Sequence, residues 1–189
     1  MKASRPFRER AATRSHEPAG AFGASRSAVP PALAGAHMVP DEELAKEIEA
    51  NVGEAEESLH SLRRQSYVIA GWARELARRL ASGSRLLVAG NGAPGAEAQV
   101  RARARHGDVV LLLSTNGRSP RLVAAARTAH ELGARTWAFT GPTPNPLAAA
   151  VDEVVALEGR NCHVEEAQLV GLHALRECFE DCVAEREER

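Results

Sequence analysis

Twice in this chain an apolar run ends in a glycine-bearing polar turn that opens a helical pattern. Leu86-Leu87-Val88-Ala89 leads into Gly90-Asn91-Gly92-Ala93-Pro94-Gly95, and Val109-Val110-Leu111-Leu112-Leu113 leads into Ser114-Thr115-Asn116-Gly117-Arg118-Ser119. A strand, a tight turn and a helix repeated in this order build an open parallel α/β sheet. At the carboxyl ends of such strands, turn hydroxyls, backbone N–H groups and helix N-termini converge and favour negative charge. The first ligand to expect is a phosphorylated small molecule.

The rest of the pattern fits that frame. Pro40-Asp41-Glu42-Glu43 opens a helix with acidic residues in its first turn, and Leu44, Ile48, Val52, Ala55, Leu59 and Leu62 recur at helical spacing. A second amphipathic helix runs from about Ser66 to Ala81, with Val68, Ile69, Trp72, Leu76 and Leu80 on its apolar side. Then follow a strand at Arg85–Ala89, a helix from about Gly95 to Arg105, a strand at Val109–Ser114 and a helix at Pro120–Leu132. A strand at Arg135–Thr140, a short helix near Asn145–Ala150, a strand at Glu153–Ala156 and a last helix from Val164 to about Glu185 complete it. Two long amphipathic helices ahead of a small sheet carry more apolar surface than that sheet can cover. A homo-oligomer, dimer or tetramer, is the expected outcome, with groove-covering within one chain as the other possibility.

Composition narrows the function classes. The chain has 189 residues and a formal charge of -1, so nothing overall draws it to nucleic acid or membranes. No apolar stretch approaches the ~20 residues that span a bilayer. Three cysteines, Cys162, Cys178 and Cys182, make an odd set without a secretory segment, which points to the cytoplasm. Residues 1–38 differ from the rest, with six Lys or Arg against two Glu, rich Ala, Ser, Pro and Gly, and no sustained periodicity. They are expected to be a disordered basic tail preceding one domain over 39–189. A solvated tail, an extension upstream of Met38, a phosphate- or partner-touching arm and a transit peptide are the readings of it.

The second turn has the clearest chemistry. Ser114, Thr115 and Ser119 supply hydroxyls, while Asn116 and Gly117 can take the left-handed geometry that turns N–H groups inward. Pro120 suits the first helical position after a Ser119 cap. A phosphate here would meet hydroxyls, amides and the positive end of a helix. In the plainer reading, Ser119 only caps and Ser114 and Thr115 satisfy their own backbone.

Gly90-Asn91-Gly92, the run Ser114-Thr115-Asn116-Gly117-Arg118-Ser119 and Thr140-Gly141 together resemble the sugar isomerase (SIS) domain family. The similarity lies in the branch of phosphoheptose isomerases and DnaA-initiator-associating proteins and covers about Asp41 to Arg176. The resemblance implies a flavodoxin-like αβα sandwich with a parallel sheet, preceded by two long helices of the oligomer core. It implies binding of a phosphorylated sugar, and isomerisation of sedoheptulose 7-phosphate to D-glycero-D-manno-heptose 7-phosphate through an enediol, by one base and one acid. Carried over by position, Asn91, Gly92, Ser114, Thr115, Asn116, Gly117 and Ser119 become substrate-binding residues, and His173 falls on a histidine of the last helix.

The departures are equally specific. The resemblance implies a zinc held by His and Glu one turn apart and by Gln and His on the last helix. Val100 and Ala104 stand at the first two positions and Glu165 at the third. Pro94 replaces a serine of the first turn, and Asn116 replaces the middle serine of the second. Only a short helix and His106-Gly107-Asp108 separate the turns, where relatives carry a further strand and helices. The sheet should therefore be one strand smaller.

Glu165 and His173, eight apart on a helix, lie ~12 Å apart axially and within ~80° of one another. They are the remaining acid–base candidates, with Glu166 and Gln168 as polar neighbours; facing solvent or the oligomer seam is the alternative. Zinc through Cys162, His163 and His173 is weakly supported by spacing. Trp72 and Trp137 read as core or interface residues, and Arg101–Arg105 as a solvated face. The alternative function is a non-catalytic SIS-domain binding or regulatory protein, or the silent subunit of a mixed oligomer with a catalytic paralogue.

Overall fold

The computed structural model describes residues 39–90 and 95–187. The tail expected over 1–38, and the first-turn residues Asn91 and Gly92, lie outside them. The chain begins with α1 (Asp41–Arg64) and α2 (Ser66–Ala81), followed by β1 (Leu86–Gly90) and α3 (Ala96–Arg103). Then come β2 (Val109–Leu113), α4 (Pro120–Glu131), β3 (Arg135–Thr140), a short 3-10 turn at Ala148–Ala150, β4 (Glu153–Ala156) and α5 (Asn161–Glu187). Every element expected from the sequence is present. The shortened middle is present too, as the eight-residue α3.

The four strands form one sheet in the order β1-β2-β3-β4, and each neighbouring pair is parallel. Side chains alternate between its faces. Val109, Leu111, Trp137, Phe139 and Val155 pack with Ile69, Trp72, Leu76 and Val164, so α2 and α5 cover one face. Val110, Leu112 and Ala138 pack with Val100, Leu122, Ala125, Ala126 and Ala129, so α3 and α4 cover the other. This is an αβα sandwich with sides of different texture. The first is aromatic, with Trp72 stacked on Trp137 at 5.0 Å and edge-on to Phe139 at 5.4 Å. The second is built largely of alanine, which lets α3 and α4 approach closely.

Among the described residues no strand lies outside β1. Val88, in register with the buried Leu111, is 54% exposed there. A sheet lacking one strand leaves this edge uncovered.

Small polar side chains hold α1 against the sheet. Ser61 Oγ accepts from the Glu158 N–H at 3.0 Å and donates to the Ser58 carbonyl at 2.7 Å. Gln65 Oε1 accepts from the Ala156 N–H at 3.0 Å, while Gln65 Nε2 donates to the Ala156 carbonyl. Of the apolar stripe read along α1, Leu62 alone is buried, whereas Leu44, Ile48, Val52 and Leu59 are exposed. The stripe exists, but nothing among the described residues covers its first half.

Candidate functional site

The second turn begins where β2 ends, and its own hydrogen bonds fix its shape.
The Ser114 N–H continues the sheet by donating to the Phe139 carbonyl at 3.0 Å. The Ser114 side chain is buried, and its Oγ accepts from the Gly117 N–H at 3.0 Å. Asn116 Oδ1 accepts from the Arg118 N–H at 3.0 Å, an Asx turn. Gly117 has φ +64, and a Cβ there would stand 1.9 Å from Asn145 Oδ1. Only glycine satisfies both conditions.

Asn145, missed in the sequence reading, is the post on which the turn rests. Its Nδ2 donates to Thr140 Oγ1 at 3.2 Å and to the carbonyls of Gly141 and Pro142 at 3.3 and 3.2 Å. Its Oδ1 accepts from the Ala148 N–H at 2.9 Å. Gly141 approaches so closely that a Cβ would lie 2.2 Å from the Thr115 carbonyl. The loop after β3 thus buttresses the loop after β2. The Thr140-Gly141 signature is a packing requirement of this contact.

Ser119 occupies the cap position of α4, with φ -68 and ψ 113, and its carbonyl accepts from the N–H groups of Leu122 and Val123 at 3.2 and 3.1 Å. Its hydroxyl makes no capping hydrogen bond. The plainer reading therefore fits Ser114, whose hydroxyl holds the turn, and does not fit Ser119.

A cavity of about 600 Å³ opens between the ends of β1 and β2 and the first half of α5. Gly90, Leu113 and Thr115 form its strand side; Glu165, Glu166 and Gln168 form its helix side, with Leu169 and Leu172 beside them. Thr115 and Glu165 thus share one hollow. Ser114, Asn116, Gly117 and Ser119 surround the turn without lining that cavity. His173 is exposed and lies off it. The arrangement brings Glu165 to the site and leaves its sequence partner outside.

Two residues secure the helix side. Gln168, 5% exposed, donates from Nε2 to the carbonyls of Ser114 at 3.0 Å and Phe139 at 3.3 Å, tying α5 to the strand ends. His163, buried beneath Glu166, lies with Nδ1 3.0 Å from Glu166 Oε2 and Nε2 3.3 Å from Arg160 Nη2. Glu54 Oε2 also lies 3.7 Å from Nε2, and since a carboxylate only accepts, Nδ1 donates to Glu166. One oxygen of Glu166 is thereby fixed. Helical spacing from Val164 alone could have put Gln168 on the inner face; nothing in the sequence marked the Arg160–His163–Glu166 chain.

The zinc implied by the resemblance does not fit this donor set. Val100 and Ala104 are packed in the alanine-rich core, on the far face of the sheet from α5. Among the described residues no group of three or more His, Cys, Asp or Glu side chains is placed to hold a metal. No chemical step is derived through one.

Residues 63–173 match the SIS domain family. The chain belongs to the SIS domain family. It is 33% identical over 181 residues to the phosphoheptose isomerase of Streptomyces coelicolor, taking in 71% of this chain and 78% of that protein. The alignment is longer than the share of this chain it contains, so part of that SIS-domain relative faces no residue here. A shorter match, 36% over 78 residues, is to the phosphoheptose isomerase of Mycobacterium tuberculosis and covers 41% of this chain and 40% of that one. Among solved structures, a phosphoheptose isomerase from Neisseria gonorrhoeae superposes with a TM-score of 0.65 at 21% identity, covering 73% of this chain and 99% of the other. One from Francisella tularensis gives 0.63 at 18%, covering 76% and 100%. These structures establish the fold, and this SIS-domain protein is phosphoheptose isomerase-like. Among the described residues no helix is long and apolar enough to cross a membrane.

Proposed function

We propose that this chain binds a phosphorylated sugar of the heptulose 7-phosphate type at the carboxyl edge of its sheet. The observation that carries this reading is the cavity shared by Thr115 of the second turn and the polar face of α5. The phosphate lies at the Thr115–Ser119 turn, where Ser119 holds a hydroxyl unspent on its own helix and α4 presents its positive end. The resemblance adds Asn91 and Gly92, which lie outside the described residues, as further substrate-binding residues. The sugar carbons extend toward α5. Isomerisation there needs a base beside two adjacent carbons, and Glu165 and Glu166 are the groups at hand. His173 could join them only from another direction, such as a subunit boundary.

A second reading is favoured by one specific observation. The two positions that bear metal ligands in the resemblance hold Val100 and Ala104, which serve as core. In this reading the chain binds the sugar phosphate without converting it, alone or beside a catalytic paralogue. Incubation with sedoheptulose 7-phosphate, with and without zinc, followed by NMR for the aldose, separates the two. Turnover supports the isomerase. A ligand-dependent rise in melting temperature without turnover supports the binding protein. Neither response would overturn both.

The assembly we infer is a homo-oligomer, dimer or tetramer, formed through α1. Leu44, Ile48 and Val52, spaced one turn apart, are 43%, 64% and 51% exposed. A second copy covering this stripe would bury it. Ile48→Lys should shift the protein to a smaller species by light scattering; an unchanged mass would sink the inference. The unit is taken as 39–189, with the two leading helices included, and the cytoplasm as its location, given three unpaired cysteines.

A further inference from the structure

The α5 side of the cavity offers acceptors almost exclusively. Gln168 must direct Nε2 at the Ser114 and Phe139 carbonyls, because its oxygen could not hydrogen-bond to either. That fixes the amide, and no hydrogen bond to Oε1 is found among the described residues; the oxygen is not sealed off, and in a residue only 5% exposed that lines the cavity its access is to that cavity. An amide oxygen held in this orientation at the cavity wall is ready to accept from a donor on whatever enters. Glu165 and Glu166 line the same side, and among the described residues no Lys or Arg lines the cavity to balance them.

We propose that Gln168, Glu165 and Glu166 form an acceptor wall that selects a ligand with hydroxyl donors beyond its phosphate and rejects one with a second anionic group. Gln168 is the positioning contact. It takes a hydrogen from a ligand hydroxyl and, through its two carbonyl bonds, fixes that hydroxyl relative to the second turn. The carboxylates accept from neighbouring hydroxyls. A second phosphate or a sugar carboxylate at that end would meet two like charges in a partly enclosed space. The site thereby distinguishes a neutral polyol monophosphate from a bisphosphate or an acid of the same length. This selectivity rests on the sugar-phosphate reading given above and adds to it a sense of which end of the ligand faces α5.

The test is calorimetric titration of the full chain with four ligands: sedoheptulose 7-phosphate, sedoheptulose 1,7-bisphosphate, n-butyl phosphate and inorganic phosphate. The wild type should bind the monophosphate at least about tenfold more tightly than the bisphosphate, and the double variant Glu165→Gln/Glu166→Gln should narrow that gap. Gln168→Met should cut the preference for the sugar over butyl phosphate by about tenfold. Each preference is a ratio within one protein, so uniform loosening of α5 cancels. Equal binding of mono- and bisphosphate by the wild type would overturn the wall. So would a Gln168→Met change that affects all ligands alike. If the wild type binds none of the four, the sugar-phosphate reading itself fails; if it binds the monophosphate without discrimination, only the acceptor wall does. Should Gln168→Met not fold, the two exposed glutamate positions still decide the charge selectivity.

Discussion

At the amino-terminal end of the sheet, Asp108 and Asp152 have both carboxylate oxygens engaged by the protein; at the carboxyl end, Ser119 and Gln168 keep acceptors that the scaffold does not use. Asp108 accepts from the Arg85 N–H at 2.9 Å, the Arg105 N–H at 3.0 Å and the Arg85 guanidinium at 2.7 Å. Asp152 accepts from the Thr136 N–H at 2.8 Å and Thr136 Oγ1 at 3.0 Å, with Arg135 at 3.3 Å. These clamps fasten the start of one strand to the start of the next. Their carboxylates are committed to the scaffold. The opposite end keeps an uncapped hydroxyl at Ser119 and an amide oxygen of Gln168 at the cavity wall, neither of them spent on the scaffold among the described residues. Stability and recognition thus sit at opposite ends of the same strands.

The largest effect expected from disturbing this division is at Asp108. Removing its carboxylate in Asp108→Ala leaves two backbone N–H groups without their acceptor, while Arg85, partly exposed, can turn to water. The loss should be roughly 2–4 kcal/mol of unfolding free energy, measured by urea denaturation. Sugar-phosphate affinity of the folded fraction should hardly change. A variant as stable as the parent would show that the clamp is ornamental.

Gly117→Ala comes next and strikes the other end. The left-handed backbone and the close approach of Asn145 both oppose a methyl group. A cost of about 1–3 kcal/mol is expected, with loss of ligand-induced stabilisation in a melting experiment. Retained ligand response in this variant would mean that the turn is not where the phosphate lies.

Acid titration tests the first end without mutation. Burial works against ionisation of Asp108, but the Arg85 side chain, the N–H groups of Arg85 and Arg105 and the Arg85 charge prevail, holding its carboxyl below the ordinary value. Burial is likewise outweighed at Asp152 by the Thr136 N–H and hydroxyl and by the charges of Arg135 and His130. A carboxyl that is more acidic folded than unfolded contributes stability fully above its unfolded pKa of ~3.9, and loses it as pH falls toward the folded value. The urea midpoint should therefore decline below about pH 5. Asp108→Asn should flatten part of that decline; an identical acid slope would refute the contribution.

How much of this was legible in the sequence follows from the range of the forces involved. The strands and helices declared themselves through periodicity, and α2 runs over Ser66–Ala81 as read. Ends moved where single contacts decide them: α5 starts at Asn161, ahead of the expected Val164, with His163 buried beside Arg160 and Glu166. The α1 stripe read from Leu44 to Leu62 was a correct pattern, yet only Leu62 of it enters the core, and the polar attachment is made by Ser58, whose hydroxyl donates to the Glu158 carbonyl, with Ser61 and Gln65. Periodicity ranks residues by hydrophobicity and is blind to a serine that meets a carbonyl a hundred residues away. The site shows the same limit. Turn chemistry identified 114–119 and the family resemblance singled out Glu165, but that Glu165 shares a cavity with Thr115, which hydroxyl was spent and that His173 lies off the cavity depended on tertiary geometry.

The smallest structural effect belongs to Ser119, and it is the most direct probe of the contrast between the two ends. A serine that caps its helix loses typically ~1 kcal/mol when cut to alanine. This one makes no cap bond, so Ser119→Ala should shift stability by no more than about 0.5 kcal/mol. If the hydroxyl is kept for the ligand, affinity for sedoheptulose 7-phosphate should fall by about tenfold, and affinity for inorganic phosphate should fall with it because the contact is to the phosphate. That joint loss separates Ser119 from Gln168, whose removal should affect the sugar and spare the phosphate. A stability loss of the capping size with unchanged affinity would return Ser119 to the scaffold, and would move the anion elsewhere along the sheet edge.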